Sequence, residues 1–317
     1  MASELTTAAT PATAAGIAKK TSHKAFWIAA TTLVVILAAA LYALPNKSNF
    51  AIGFSLHEIA AIELILFLSG INSGLAGFGF SAVGAACLLF MEPILEVPTL
   101  QALGTANQLL SVEQLRADMP KTWKDFLAAP APPILGGLVG VPIGVWLLSH
   151  LPAKQLMTVF GALLVVYSLY SMFKPVGLKV RRLDSPVAGA IAGILGGAVG
   201  GFTGFPGAMV VVWVGLRDMP KALNRAIVQP YIIMSQVYSL SLIAWLHPSY
   251  LSHRYWLLLL ITSPAVLPGT LGGLWIYRRI SDVNFKRVSY FLLGLSGASL
   301  LLKIYGAALA KLLHIAS

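Results

Sequence analysis

The two most polar of the apolar segments each contain a spaced pair of carboxamide side chains that could bind a ligand. Asn107 and Gln114 are seven residues apart, as are Gln229 and Gln236, so each pair occupies nearly one face of a helix. Amide side chains are costly in lipid and should face protein or a water-filled cavity. Two such faces could hold an oxyanion through hydrogen bonds. Hydrogen bonding between helices is the structural alternative for each of the four.

Two charged residues could contribute to the same chemistry. Arg225 precedes Gln229 by four residues, about one helical turn, and its guanidinium could clamp a sulfonate or carboxylate. As a cytoplasmic anchor at the end of a span, Arg225 would need no ligand. Glu63 lies in a long apolar run and is the candidate to carry a coupling proton. A position at the membrane interface is the alternative for Glu63.

Two glycine-rich sequences, GFGFS (77–81) and GGFTG (200–204), supply a second set of candidates. A helix that breaks inside a bilayer leaves backbone N–H groups that must line a polar cavity, and helix N-termini there suit an anion. Close packing of helices is the alternative role for such glycines. The binding candidates in these sequences, including two hydroxyl donors, are Gly77, Phe78, Gly79, Ser81, Gly200, Gly201, Thr203 and Gly204.

The composition decides which elements must position these residues. Of 317 residues, 57% are apolar or aromatic and only 10% are charged, and the mean hydropathy is +0.81. A soluble domain carries roughly 25% charged residues. The chain is therefore predicted to be an all-α, polytopic membrane protein.

The sequence carries no sign of an enzyme or of a cofactor. It contains no GxxxxGK[ST], HExxH or GxSxG motif, and its six histidines are scattered. We therefore expect no catalytic residue, no metal site and no cofactor. The single cysteine, Cys87, allows no internal disulfide.

The chain divides into a polar tail and a series of apolar runs. Residues 1–24 are predicted to be a disordered cytoplasmic tail. The run within 25–45 predicts an extra N-terminal transmembrane helix, and cleavage as a signal peptide near residues 38–40 is the alternative. The later runs lie near 57–91, 98–115, 127–149, 155–173, 186–216, 226–246, 256–277 and 288–310.

Two of these runs are too long to be single spans. As one helix, the 57–91 run would measure about 52 Å and the 186–216 run about 46 Å, whereas the hydrocarbon core of a bilayer is about 30 Å thick. Each run also has a glycine cluster near its middle, which favours a helix break. Each is therefore predicted to be a hairpin of two helices.

The order of glycines and a few other residues suggests an internal duplication. At an offset of 123 the matching residues are Gly70/Gly193, Gly74/Gly197, Gly77/Gly200 and Gly84/Gly207. At an offset of 129 they are Gly140/Gly269, Gly144/Gly273, Trp146/Trp275 and Lys174/Lys303. We predict a first repeat at 57–173 and a second at 186–310, each a broken-helix hairpin followed by three transmembrane helices.

The basic residues predict how the repeats are oriented. Seventeen of the 22 Lys and Arg residues lie in five segments, which fall within 1–24, 116–124, 174–182, 217–225 and 278–287. If these segments are cytoplasmic, each overlong run must return to its side of entry, so the repeats are inverted. The net charge of +11 is then a topology signal, and nucleic-acid binding is not expected. Inverted repeats with matching helix breaks are typical of secondary transporters.

These features together resemble a known family. The two glycine-rich hairpins, each followed by a polar helix, and the sequence LLSHLPAK (147–154) are similar to the TauE/SafE permeases over about residues 57–305. The resemblance implies a bacterial inner-membrane carrier for sulfite, sulfoacetate and related sulfur anions that uses no ATP. The chain departs from the usual hairpin, which has more consecutive glycines. Near its turns lie the rings of Phe78, Phe80, Phe202 and Phe205, which could narrow the pocket or contact an organic tail.

The resulting hypothesis is a secondary transporter that holds a small sulfur-containing anion between two opposed hairpins near mid-membrane. A passive anion channel on the same scaffold and an intramembrane enzyme are the alternative hypotheses. The expected partners are the anion, the lipid bilayer and a coupling proton or cation, and a homodimer is an open alternative. The N-terminus is predicted to be cytoplasmic and the C-terminus periplasmic.

The charge pattern yields a direct test of topology. In a Cys87→Ser background, Lys154→Cys and Arg217→Cys should react with an impermeant thiol reagent from opposite sides of the membrane. The expected sides are periplasmic for position 154 and cytoplasmic for position 217. Labelling of both from one side would contradict the inverted arrangement.

Overall fold

The computed structural model describes residues 53–115, 130–173, 183–217, 221–277, 279, 290–291 and 293–306. Within these ranges the chain forms ten α-helices and no β-strand. The helices are α1 (Leu56–Ala76), α2 (Phe80–Gly84), α3 (Pro93–Leu115), α4 (Ala131–His150), α5 (Ala153–Phe173), α6 (Pro186–Thr203), α7 (Gly207–Gly215), α8 (Lys221–Leu246), α9 (His253–Tyr277) and α10 (Leu293–Gly306). Two 3₁₀ helices, Ala85–Leu89 and Pro248–Leu251, follow α2 and α8.

Six of the helices are long and apolar enough to cross a bilayer, and they are α1, α4, α5, α6, α8 and α9. Their outer faces carry large apolar side chains with high exposure, such as Leu135 at 63%, Val166 at 66% and Leu260 at 69%. Lipid is the solvent that such faces require. The chain is therefore an all-helical, multi-pass membrane protein, as its composition predicts.

Several sequence-based expectations fall outside the described residues. The tail at 1–24, the extra helix at 25–45 and most of the basic segments lie there. The orientation of the termini and the fate of the first helix thus stay predictions.

Each overlong run is divided between two helices, as its length predicts. The first run breaks at residues 77–79, between α1 and α2, and the second at residues 204–206, between α6 and α7. We call these break 1 and break 2. Gly77 (φ 76°) and Gly204 (φ 69°) each end a helix in the left-handed conformation, which favours glycine because it has no Cβ.

Break 2 lies one helical turn later than the glycine cluster at 200–204 predicts. Gly200 and Gly201 are inside α6, and both are packed too tightly for a side chain. A Cβ on Gly201 would lie 2.7 Å from Cα of Gly144, and a Cβ on Gly200 would lie 2.5 Å from Cβ of Pro206. These two glycines therefore serve close packing, and Gly204 with Pro206 ends the helix.

Two pairs of helices, α4 with α6 and α1 with α9, pack with backbone against backbone. A Cβ on Gly136 or Gly140 of α4 would collide with the carbonyl oxygens of Ala190 and Ile194 in α6. Likewise, a Cβ on Gly269 or Gly273 of α9 would collide with the carbonyl oxygens of Phe67 and Ile71 in α1. Small residues allow such close approach between membrane helices.

These contacts align α4 of the first repeat with α9 of the second at a different offset from the one predicted by matching residues along the sequence. Ala190 and Ile194 follow Phe67 and Ile71 by 123 residues, the offset expected for this part of the repeat. Their glycine partners, however, match as Gly136/Gly269 and Gly140/Gly273, at an offset of 133 instead of 129. Because glycine recurs every four residues in α4, two alignments of the repeats that differ by one helical turn match equally well in sequence. Only the contacts distinguish them.

Adjacent glycines of α9 provide a matched test of this packing. Gly273→Ala places a methyl group against the Ile71 carbonyl and should destabilise the protein by about 1–3 kcal/mol. Gly272→Ala meets nothing closer than Ile71 Cγ1 at 4.0 Å, so its better helix propensity should leave stability unchanged or raise it by up to about 1 kcal/mol. Thermal unfolding in detergent measures both, and equal melting temperatures for the two variants would contradict the packing.

Candidate functional site

Break 1 is held by a buried amide from the preceding helix. Gly79 (φ 84°) precedes α2 in the left-handed conformation. The Asn72 side chain is 2% exposed, and its Nδ2 donates a hydrogen bond to the Gly79 carbonyl at 3.2 Å. Because a left-handed residue on each side of Phe78 turns the chain sharply, this bond fixes the direction in which α2 leaves the break.

The carboxyl end of α1 at break 1 receives donors from two other helices. Arg225 of α8 donates from Nη2 to the Leu75 carbonyl at 2.6 Å, and Gln108 of α3 donates from Nε2 to the Gly77 carbonyl at 3.2 Å. A helix end lacks internal partners for its last carbonyls and carries partial negative charge. The guanidinium and the amide therefore stabilise an end that lipid could not.

Break 2 is held in the same way by glutamines of α3 and α8. Gln101 donates from Nε2 to the Gly200 carbonyl at 3.2 Å, and Gln236 donates from Nε2 to the Gly204 carbonyl at 3.4 Å. Each break thus receives an amide from the polar helix that follows it in sequence, Gln108 at break 1 and Gln236 at break 2. Gln101 additionally links α3 to α6.

The contacts relate four glutamines at an offset of 128 residues. Gln101 and Gln108 are seven residues apart, as are Gln229 and Gln236, and the bonds of Gln108 and Gln236 to the first residue of each break are equivalent. This correspondence replaces the match of Asn107 and Gln114 with Gln229 and Gln236. The sequence contained the signal, because the Gln-x₆-Gln spacing occurs in both helices.

Asn107, predicted to face a ligand, links three helices. It donates from Nδ2 to Ser73 Oγ of α1 at 2.6 Å, and its Oδ1 accepts from Thr270 Oγ1 of α9. Its side chain is fully buried, so its polar atoms serve the contact between helices. The side chain of Gln114 lies outside the described residues.

Gln229 differs from the other three glutamines. Its side chain is 0% exposed, and neither its Oε1 nor its Nε2 has a hydrogen-bond partner within the described part of the chain. Its Nε2 would lie 3.3 Å from a Cβ on Gly77, and the Nε of Arg225 would lie 3.2 Å from the same point. An amide without a described partner and a cation thus flank break 1.

The hydroxyl candidates have different environments. Ser81 of α2 is 2% exposed, has no described hydrogen-bond partner, and lies with Oγ 3.6 Å from the Cβ position of Gly204. It brings the segment after break 1 next to break 2. Thr203 is used locally, because its Oγ1 donates to the Val199 carbonyl and accepts from the Phe205 N–H at 3.1 Å.

The aromatic rings near the breaks lie mainly in the core. Phe205 is 2% exposed and packs edge to face with Tyr167 of α5, with ring centroids 6.3 Å apart. Phe80 and Phe202 are also buried, whereas Phe78 is half-buried between two apolar clusters. Of the four, Phe78 is the ring with surface left to contact a ligand.

Two carboxylates in the described helices have buried oxygens without a hydrogen-bond partner. Glu63 of α1 is half-buried and its Oε1 has no partner in the described chain. Glu96, in the first turn of α3, is 0% exposed, and neither of its oxygens has a partner among the described residues. Glu96 was not among the predicted candidates, because it lies in the connection at 92–97, just before the apolar run that begins near residue 98.

The bonding difference between two equivalent glutamines predicts a difference in stability. Gln101→Leu removes donors from the Gly200 carbonyl and Ser239 Oγ and should cost about 1–3 kcal/mol. Gln229→Leu removes an amide with no described partner, so the melting temperature should stay the same or rise. Leucine has nearly the volume of glutamine, which limits packing effects in both variants. Equal destabilisation by the two substitutions would contradict the bonding described.

The comparisons with known proteins point to one family. No curated protein and no solved structure is significantly similar to the chain. A family model described as "Sulfite exporter TauE/SafE" matches residues 62–300, which include both breaks and all four glutamines. Because the match covers most of the chain, the protein belongs to the TauE/SafE family of membrane transporters, which implies transport of sulfite or related anions.

Proposed function

We propose that the protein is a secondary transporter of small sulfur-containing anions, sulfite or sulfonates such as sulfoacetate, across the bacterial inner membrane. The anion binds near mid-membrane between break 1 and break 2. Gln229 carries the proposal, as a fully buried amide without a described partner beside a helix break.

The state of Gln229 supports a ligand at this place. A buried amide that makes no hydrogen bond costs about 1–3 kcal/mol relative to one that is satisfied, and buried polar groups in native proteins nearly always have partners. An oxyanion beside Gly77 would accept a hydrogen bond from Gln229 Nε2. Binding would therefore remove a cost that the unliganded protein bears.

Arg225 supplies the charge that an anion needs. It lies one turn before Gln229 on α8, and its Nε and Cζ would lie 3.2 and 3.4 Å from a Cβ on Gly77. One guanidinium donor already holds the Leu75 carbonyl, which fixes the side chain in place. A fixed cation loses less entropy when the anion binds than a mobile one does.

The neutral side chains beside the breaks that do not bond backbone carbonyls could donate hydrogen bonds to either a sulfite or a sulfonate group. Gln101, Gln108 and Gln236 fix the backbone carbonyls of the breaks, so Gln229 and Ser81 are the neutral donors left to contact the oxygens of a sulfite or sulfonate group. The half-buried ring of Phe78 could contact the organic part of a sulfonate.

The affinity of the folded protein for sulfite tests this site. Gln229→Leu should lower it by roughly 5- to 150-fold, because one hydrogen bond to the anion is lost, without lowering the melting temperature. Asn107→Leu is the matched control, since Asn107 is bonded to Ser73 and Thr270. That variant should lower the melting temperature and leave the affinity of the folded fraction unchanged. Calorimetric titration with sulfite measures both, and wild-type affinity in Gln229→Leu would refute the site.

We propose further that transport is coupled to a proton carried by Glu63, the carboxylate predicted from the sequence, or by Glu96. A carboxylate inside a membrane protein is neutral when protonated and costly when ionised without a partner. Glu63 has one such oxygen and Glu96 has two.

Sulfite flux in proteoliposomes tests both the carrier and its coupling. A carrier should show saturation and counterflow, whereas linear flux without counterflow would favour the channel. Replacement of the coupling carboxylate by glutamine should abolish the response of uptake to a pH gradient and preserve counterflow. The same replacement at the other carboxylate should preserve both. A full pH response in both Glu63→Gln and Glu96→Gln would contradict this assignment of proton coupling.

A further inference from the structure

One hydrogen bond between the two halves of the molecule is formed, whereas its counterpart at the repeat offset is not. Gln101 donates from Nε2 to Ser239 Oγ at 2.8 Å, which joins α3 to α8. At the offset of 128 residues, the equivalents of Gln101 and Ser239 are Gln229 and Ser111. Both side chains are 0% exposed. Neither the Gln229 amide nor the Ser111 hydroxyl has a partner among the described residues.

This missing bond contrasts with the bonds that the other two glutamines make to the breaks. The other glutamines of the set make equivalent bonds in both halves, Gln108 to the Gly77 carbonyl and Gln236 to the Gly204 carbonyl. The same residue types thus occupy corresponding positions, yet only one of two possible glutamine–serine bonds is formed. Leaving two buried polar groups unsatisfied is costly, so this arrangement needs a reason.

We infer that the Gln101–Ser239 and Gln229–Ser111 pairs close alternately, one in each of two conformations of the transporter. The described structure has the first pair closed and Gln229 open to the anion. In the opposite conformation Gln229 bonds Ser111, and Gln101 is released to take over the anion. This inference rests on the proposed transport function and names the bonds that control access to its binding site.

The exchange has the energetic property that a transporter needs. It replaces one buried amide–hydroxyl bond with another of the same type, so the two conformations can stay close in free energy. A ligand then shifts their populations only through its different contacts in the two conformations. Because the glutamine that is not bonded to serine is the one that contacts the anion, each conformation has one amide donor for the substrate.

Paired cysteines and Cd²⁺ can detect each closed pair. In a Cys87→Ser background, one variant carries Gln101→Cys with Ser239→Cys and the other carries Ser111→Cys with Gln229→Cys. Thiolates are soft ligands that bind metals of this kind, and a metal that binds the folded state raises its melting temperature. We expect Cd²⁺ to stabilise both double variants and none of the four single-cysteine controls. No stabilisation of the 111/229 variant would overturn the inference.

A variant with all four cysteines tests whether the pairs exclude each other. Because the pairs close in different conformations, it should bind one Cd²⁺ per chain at saturation, whereas two per chain would refute the exchange. These measurements use no sulfite. They can therefore fail while sulfite transport is demonstrated, or succeed while the substrate assignment fails.

Single serine substitutions provide a milder check if the cysteine variants do not fold. Ser239→Ala removes the acceptor of the closed pair and should lower the melting temperature, whereas Ser111→Ala removes a hydroxyl without a described partner and should not. Equal losses in the two variants, or a loss only in Ser111→Ala, would contradict the state assigned to the described structure.

Discussion

A helix that ends inside a membrane must find partners for its last carbonyl groups, and the core of this protein depends on that requirement. In water the solvent would bond these groups, but hydrocarbon cannot. Buried side chains from α3 and α8 do so here, with Gln108 and Arg225 at break 1 and Gln236 at break 2. Gln101 adds a second donor to the Gly200 carbonyl, which also accepts from the Gly204 N–H. The polar helices are therefore part of each break, and a ligand at the breaks necessarily meets their side chains.

Glycine packing makes this arrangement possible. Because α4 approaches α6, and α9 approaches α1, with backbone against backbone, each broken helix is held along its length by a partner from the other half of the chain. The breaks themselves can then be supported by side-chain hydrogen bonds, which exchange more easily than backbone packing. A rigid scaffold with adjustable polar contacts is compatible with the two conformations proposed above.

The sequence predicted the fold class, the family and both helix breaks. The fold class and the breaks were predictable because the bilayer limits both the length and the composition of a spanning helix. It did not predict at which residue α6 ends or which face of α3 meets break 1. Gly200 and Gly204 are both plausible helix ends by type, and only the positive φ of Gly204 and the tight packing of Gly200 separate them. Similarly, Asn107 and Gln108 are adjacent and both polar, so their different roles depend on which face of α3 meets the break.

Selenite tests most directly whether an anion binds between the two breaks, because selenium marks the position of a sulfite-like oxyanion. A crystal of the protein with selenite should show an anomalous peak beside Gly77, with oxygens within hydrogen-bond distance of Gln229 Nε2 and the Arg225 guanidinium. A peak that lies only at the outer ends of the helices, with no selenium between the breaks, would contradict the account.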